Sequence, residues 1–168
     1  MRLHVTEIEP SILQNNEIET IIEKSEQLLQ FNVMPGKNVT EKLIFEKYIV
    51  SRKKIQAFFS REYKTEMAKS PDHFIFLSAL INLQKIIYIL MCKHFGVEYN
   101  SNRSEKFKIW PIKTDVQING MIRKTKDIIQ DFEIISIQEI AQNKYMLKGV
   151  SSSESSIIIK GSAIIYKI

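Results

Sequence analysis

The chain has a single cysteine, Cys92, and that removes two large classes of small protein. No intramolecular disulfide can form, and no cysteine cluster offers a structural zinc site. Inside an apolar run, Cys92 reads as a small buried hydrophobe. Five glycines and four prolines are too few for a disordered or loop-built scaffold. No Gly-rich phosphate loop and no G-x-S-x-G elbow is present, and no repeat or sustained heptad. His4 and His94 stand far apart without metal-ligand spacing, so no metal is expected. The N-terminal "MRLHVTEIEP" carries two acids and no apolar core, so it does not read as a signal peptide. From Phe74 to Cys92 there is not one Asp or Glu.

What remains is an ordinary globular composition, 44% hydrophobic and 26% charged over 168 residues. A chain this long buries roughly 70% of its unfolded surface and needs no staple, so one domain is expected over 1–168. The run from Phe74 to Cys92 approaches membrane-spanning length. Asn82, Gln84 and Lys85 sit near its centre, however, where a lysine costs about 2.5 kcal/mol or more in lipid. A buried helix in a cytoplasmic protein is the expectation, with no membrane span. Net charge is +5, gathered in "SRKKIQAFFSREYK", "NRSEKFK" and "RKTK". These clusters are either solvated surface or an anion site for nucleic acid, an acidic carrier protein or the phosphates of coenzyme A.

Along the chain, residues 16–30 place Ile18, Ile21, Ile22, Ser25, Leu28 and Leu29 on one stripe. Asn16 and Glu19 have capping-box spacing. An amphipathic helix is predicted here, within a helical extension over 1–38 that precedes a core over 39–168. "EKLIFEKYIV" and "KKIQAFFSREY" read as strands, with Leu43/Phe45 and Ile55/Ala57/Phe59 at period two and "SRKK" as their turn. A long helix follows, with Ser70 as N-cap, Pro71 in its first turn and Asp72 at the positive end of its dipole. Lys93, His94 and Gly96 suit its C-terminus. Four strand-like segments close the chain: 106–122, with Pro111 at an edge or bulge, then 127–141, 144–150 and 155–168. "AQNK" reads as a tight hairpin and "SSSES" as a flexible link. An apolar helix must be covered on most sides, and a curved antiparallel sheet does this, with a second subunit completing the cover.

On element order and two local similarities, residues 40–168 resemble the hot-dog fold. "PDHFIFLSALINLQKIIYIL" is similar to the loop and helix of 3-hydroxyacyl-carrier-protein dehydratases, where a histidine-phenylalanine step precedes a helix bearing an acid. "FKIWPIKTDVQINGMI" resembles the strand pair after that helix, with Thr114-Asp115 in place of a Gly-Asp turn. The A-factor biosynthesis hot-dog family is echoed by Asp72 and "LSALINLQ". The loop glycines and the helix acid of these families are missing; by position the acid falls on Ser78, Leu80 or Asn82.

The resemblance implies an α+β hot-dog protein that binds an acyl thioester on acyl carrier protein or coenzyme A. It implies a homodimer, no cofactor beyond the acyl-pantetheine substrate, and dehydratase- or thioesterase-like chemistry in a fatty-acid, polyketide or secondary-metabolite pathway. His73 would be the general base. Asp72, Glu66 or Glu62 would supply an acid, and Ser78 and Asn82 would be polar site residues along a stripe that includes Lys85. Beside this stands a plainer reading of each. His73 is a half-buried residue of the first turn, and the stripe finds buried partners. The alternative function is a non-catalytic hot-dog module, a structural partner or acyl sensor, as the missing acid suggests. Trp110, Phe107 and Tyr99 near basic residues fit stacking on single-stranded nucleic acid, but their alternation fits core or interface packing better. Gln84 reads as a surface or interface residue.

Overall fold

The computed structural model describes residues 18–69 and 72–168. Its elements are β1 (Glu19–Met34), β2 (Lys37–Val50), β3 (Lys54–Thr65), α1 (Phe76–His94), β4 (Phe107–Ile118), β5 (Ile128–Ala141), β6 (Lys144–Ser153) and β7 (Ile157–Lys167). The strands form one seven-stranded antiparallel sheet in the order β1-β2-β3-β5-β6-β7-β4. Bulges interrupt the ladders at Ile22/Ser25, Phe45/Lys47, Pro111/Lys113 and Ile134/Ser136. Each adds bend and right-handed twist, and the curled sheet closes around α1. This is the hot-dog arrangement. Leu43, Phe45, Ile55, Ala57 and Phe59 are buried against Ile86, Ile89 and Leu90 of the helix, as their period-two spacing predicts.

The helix expected over 16–30 is absent. Residues 19–34 are a strand, paired with β2 from Glu19↔Val50 to Met34↔Lys37, and Asn16 of the capping box lies outside the described residues. The segment carries both periods. Its helical stripe competes with an equally clean alternation, in which Ile21, Ser25, Leu29 and Phe31 turn inward while Ile22, Lys24, Leu28 and Gln30 turn outward. Pairing with β2 satisfies every second backbone group and settles the contest, since tertiary context outweighs propensity. Residues 19–38 therefore belong to the sheet and not to a helical extension.

The long helix also begins later than expected. Ser70 and Pro71 lie outside the described residues, and α1 starts at Phe76 after Ile75 in an extended conformation, with no side-chain cap. Asp72 and His73 precede the helix because the chain is held extended there. The Phe74 N–H donates to the Ile122 carbonyl at 2.8 Å, and the Phe74 ring packs 5.5 Å from that of Phe59. The C-terminus follows the sequence signals: Lys93 and His94 occupy the last turn, and Gly96 takes φ +67°, a left-handed conformation that glycine adopts without strain.

Pro111 sits on the edge strand β4 beside its bulge, and "AQNK" is a hairpin with Asn143 at φ 58°. "SSSES" is not a loose link. Ser151–Ser153 belong to β6, and Glu154 and Ser155 make a tight turn with φ 49° and 56°, fixed by the Ser156 N–H donating to the Ser153 carbonyl at 2.9 Å. The sheet has one short ladder. β3 meets β5 only over Lys54–Phe59 against Ile128–Glu133, whereas its neighbours pair along most of their length.

Candidate functional site

The face of α1 that carries Leu80, Ile81, Gln84 and Ile87 does not touch sheet everywhere. Between it and β4–β7 lies a cavity of about 270 Å³. Two glycines facing each other across the β6–β7 ladder, Gly149 and Gly161, and Ala163 form its floor, and Phe132, Ile159 and Ile109 its walls. The glycines let neighbouring groups close in around the cavity: a Cβ on Gly149 would run into the Phe132 ring, and one on Gly161 into the Lys113 carbonyl. Among the described residues, Lys113 is the one ionisable side chain lining this cavity. Such a site selects apolar matter, with Lys113 at its wall as the one group there that can exchange a proton.

The residues singled out in the sequence lie on other faces of the helix and at its start. Asp72 and Ser78 meet in a charged node. Arg61, with its side chain fully buried, donates from Nε to Glu41 Oε1 at 2.6 Å, from Nη1 to the Lys124 carbonyl at 3.3 Å, and from Nη2 to Asp72 Oδ1. Ser78 Oγ donates to Glu41 Oε2 at 3.1 Å, and the Ile75 backbone N–H supports the same carboxylate. Burial raises the Glu41 carboxyl above its ordinary range, and Arg61 offsets this only in part. The node ties β2, β3, the 122–125 segment and the helix start together. Half-buried His73 lies beside it in the chain.

Asn82 stands apart, in a second buried cluster. Its Nδ2 donates to Gln130 Oε1 at 2.8 Å, and Gln130 Nε2 donates to the Ala79 carbonyl at 2.9 Å and to Ser151 Oγ at 3.3 Å. Lys85 belongs to a third group. Its ammonium donates to Glu23 at 2.9 Å and to Ser25 at 3.3 Å and lies 4.8 Å from the centre of the Phe45 ring. Burial alone would raise the Glu23 carboxyl, but Lys85 and the Tyr99 hydroxyl outweigh it and hold it low. Burial pushes the Cys92 thiol up to about 11, which makes it a poor nucleophile.

The polar stripe thus exists, and each of its three side chains is engaged by the sheet. Glu41, Arg61 and Gln130 were not foreseen. The signal was there, because Glu41 stands in phase with buried Leu43 and Phe45, and Arg61 in phase with Ile55, Ala57 and Phe59. A charge at an inward position of a strand calls for a partner. Trp110, expected in a core or interface, is 64% exposed. His94 Nδ1 donates to the Arg52 carbonyl at 3.0 Å. Among the described residues no three His, Cys, Asp or Glu side chains are grouped to hold a metal ion.

These features give the chain the hot-dog arrangement, a curled antiparallel sheet around one helix, with an apolar cavity between them. No family model matches it, and no curated protein does so. Solved structures that it resembles include a mutant thioesterase of Pseudomonas aeruginosa, at 6% identity and a TM-score of 0.44 over 75% of this chain and 82% of that one. A thioesterase of Haemophilus influenzae gives 7% and 0.41 over 68% and 73%. A sigma28-regulated virulence protein of Campylobacter jejuni gives 10% and 0.39 over 71% and 79%.

Proposed function

We propose that this chain binds an acyl thioester, with the acyl chain in the cavity between α1 and β4–β7. The cavity itself carries the reading: about 270 Å³, lined mostly by apolar side chains of α1 and of the strands facing it. A second copy of the chain, covering the exposed Leu77, Ile81 and Val116 near the cavity, is part of this reading, as is delivery of the acyl group by coenzyme A or a carrier protein.

Decanoyl-coenzyme A at a hundredfold excess over its Kd should raise the melting temperature. The stabilisation is about 2.7 kcal/mol, or roughly 5–10 °C for a chain of this size. Ala163→Phe fills the cavity from its floor and should cancel that rise while the circular dichroism spectrum stays unchanged. An undiminished rise in the variant would place the acyl chain elsewhere.

The same geometry favours binding without turnover. Ser78, Asn82 and Asp72 are engaged with Glu41, Gln130 and Arg61, and none of them lines the cavity. Mass spectrometry of acyl- and 3-hydroxyacyl-thioesters incubated with the protein should therefore detect neither release nor loss of water above background. The dehydratase- or thioesterase-like alternative, with His73 as general base, predicts turnover that His73→Ala abolishes, and such a result would restore it.

A further inference from the structure

We propose that a surface groove continuous with the apolar cavity, running past Gln84, Tyr88 and Trp110, takes the polar, phosphate-bearing arm of the thioester. This rests on the acyl-thioester reading and adds the path of the carrier arm.

The hollows beside the cavity adjoin one another, as their shared lining residues show. Gln84 and Ile109 line the apolar cavity and also a depression of about 390 Å³ that reaches Trp110 and Lys108. Tyr88 and Glu105 line that depression and also a third hollow of about 280 Å³, bordered by Arg103 and Tyr99. Together they make one track down the solvent face of α1, which changes from apolar to polar along its length.

Each station matches a part of an acyl-pantetheine. Gln84 is the one polar side chain that α1 contributes to the cavity, so its carboxamide stands where an alkyl chain gives way to a thioester and amide. Glu105 offers a carboxylate to the amide and hydroxyl groups of the arm, while Tyr88, its oxygen held by the Lys106 N–H at 3.0 Å, supplies a ring wall. Trp110, 64% exposed, is a flat platform suited to a nucleobase. Lys85 is committed to Glu23, which leaves Arg103 and Lys108 as the cations for phosphate. Arg103 has only a loose 3.7 Å contact with exposed Glu98. Lys108 enters no ion pair among the described residues. Their exposure implies an attraction that salt weakens.

Trp110 is the only tryptophan in the chain, so its emission reports on this groove alone. The intact protein is titrated with decanoyl-coenzyme A, decanoyl-pantetheine lacking phosphates, and decanoate, at low and high salt. Decanoyl-coenzyme A should change Trp110 emission, whereas decanoyl-pantetheine, which has no nucleobase, and decanoate should not. Decanoyl-coenzyme A should bind about tenfold tighter than decanoyl-pantetheine at low salt through its phosphates. Arg103→Ala/Lys108→Ala should erase that difference and leave the decanoate-induced rise in melting temperature intact. If decanoyl-coenzyme A raises the melting temperature while Trp110 emission and the double variant are both unaffected, the arm does not run here, though the cavity reading stands. If neither decanoyl-coenzyme A nor decanoate raises it, the cavity reading fails and this inference fails with it.

Discussion

Arg61→Met should destabilise the protein by about 3–5 kcal/mol at pH 7, read as a lowered urea midpoint with an unchanged slope. The methionine fills most of the same volume, so the loss is electrostatic. It strands Glu41, fully buried with its partner, with Ser78 Oγ and the Ile75 N–H as its remaining support. Breaking one side of a buried ion pair costs far more than removing both. Glu41→Leu combined with Arg61→Met should accordingly recover much of the loss.

The pH dependence has a definite sign. The Glu41 carboxyl is raised above 4.5 in the folded protein. Between 4.5 and the raised value, the native state therefore holds more protons than the unfolded one. Stability from this group is greatest below 4.5 and falls as pH climbs through that window. Removing Arg61 raises the folded value further, so the deficit of Arg61→Met should shrink as the solution is acidified. A deficit under about 1 kcal/mol, or one that grows on acidification, would mean that the node does not hold the helix start.

Gly161→Ala should cost about 3 kcal/mol, the upper end for overpacking, and should abolish the ligand-induced rise in melting temperature. Its Cβ would come 2.4 Å from the Lys113 carbonyl oxygen. That neighbour is backbone, so no rotamer change can relieve the clash and β4 must move off β7. β4 contributes Ile109, Pro111, Lys113 and Thr114 to the cavity, and displacing it opens the site. Faster amide hydrogen exchange confined to 107–118 would locate the damage. Normal exchange there together with intact ligand binding would show that the ladder accommodates the methyl group.

Period and punctuation made the architecture readable. The alternation in 41–50 and 53–63, the apolar run from Phe74 to Cys92, and the Lys93-His94-Gly96 stop are local signals, and the structure follows them. Local signals failed where two of them overlapped. Residues 19–34 satisfy both helical and strand periods, and only the presence of β2 alongside decides. They failed again at Asp72, which is held by Arg61 and not in the first turn, while Ile122 holds Phe74 extended and α1 begins at Phe76. The site was less legible than the fold. His73, Asp72, Ser78 and Asn82 stand out by type, yet which face of α1 meets a void depends on Gly149, Gly161 and Ala163, more than sixty residues further along. Such a cavity depends on how distant strands pack against the helix, and no residue type announces it.

The short β3–β5 ladder gives the molecule a seam. On one side lie three strands joined by two hairpins, and on the other four strands whose pairings are mostly between chain neighbours, β5 to β6 and β6 to β7. Each half can assemble from nearby segments, while the join must wait for chain ends separated by all of α1 and β4 to meet, an ordering that carries a large loop-closure cost. The helix lies across that join, with Phe59 and Ile128 both packed in its core. It works as a splint, an apolar rod laid over both half-sheets where their own pairing is short.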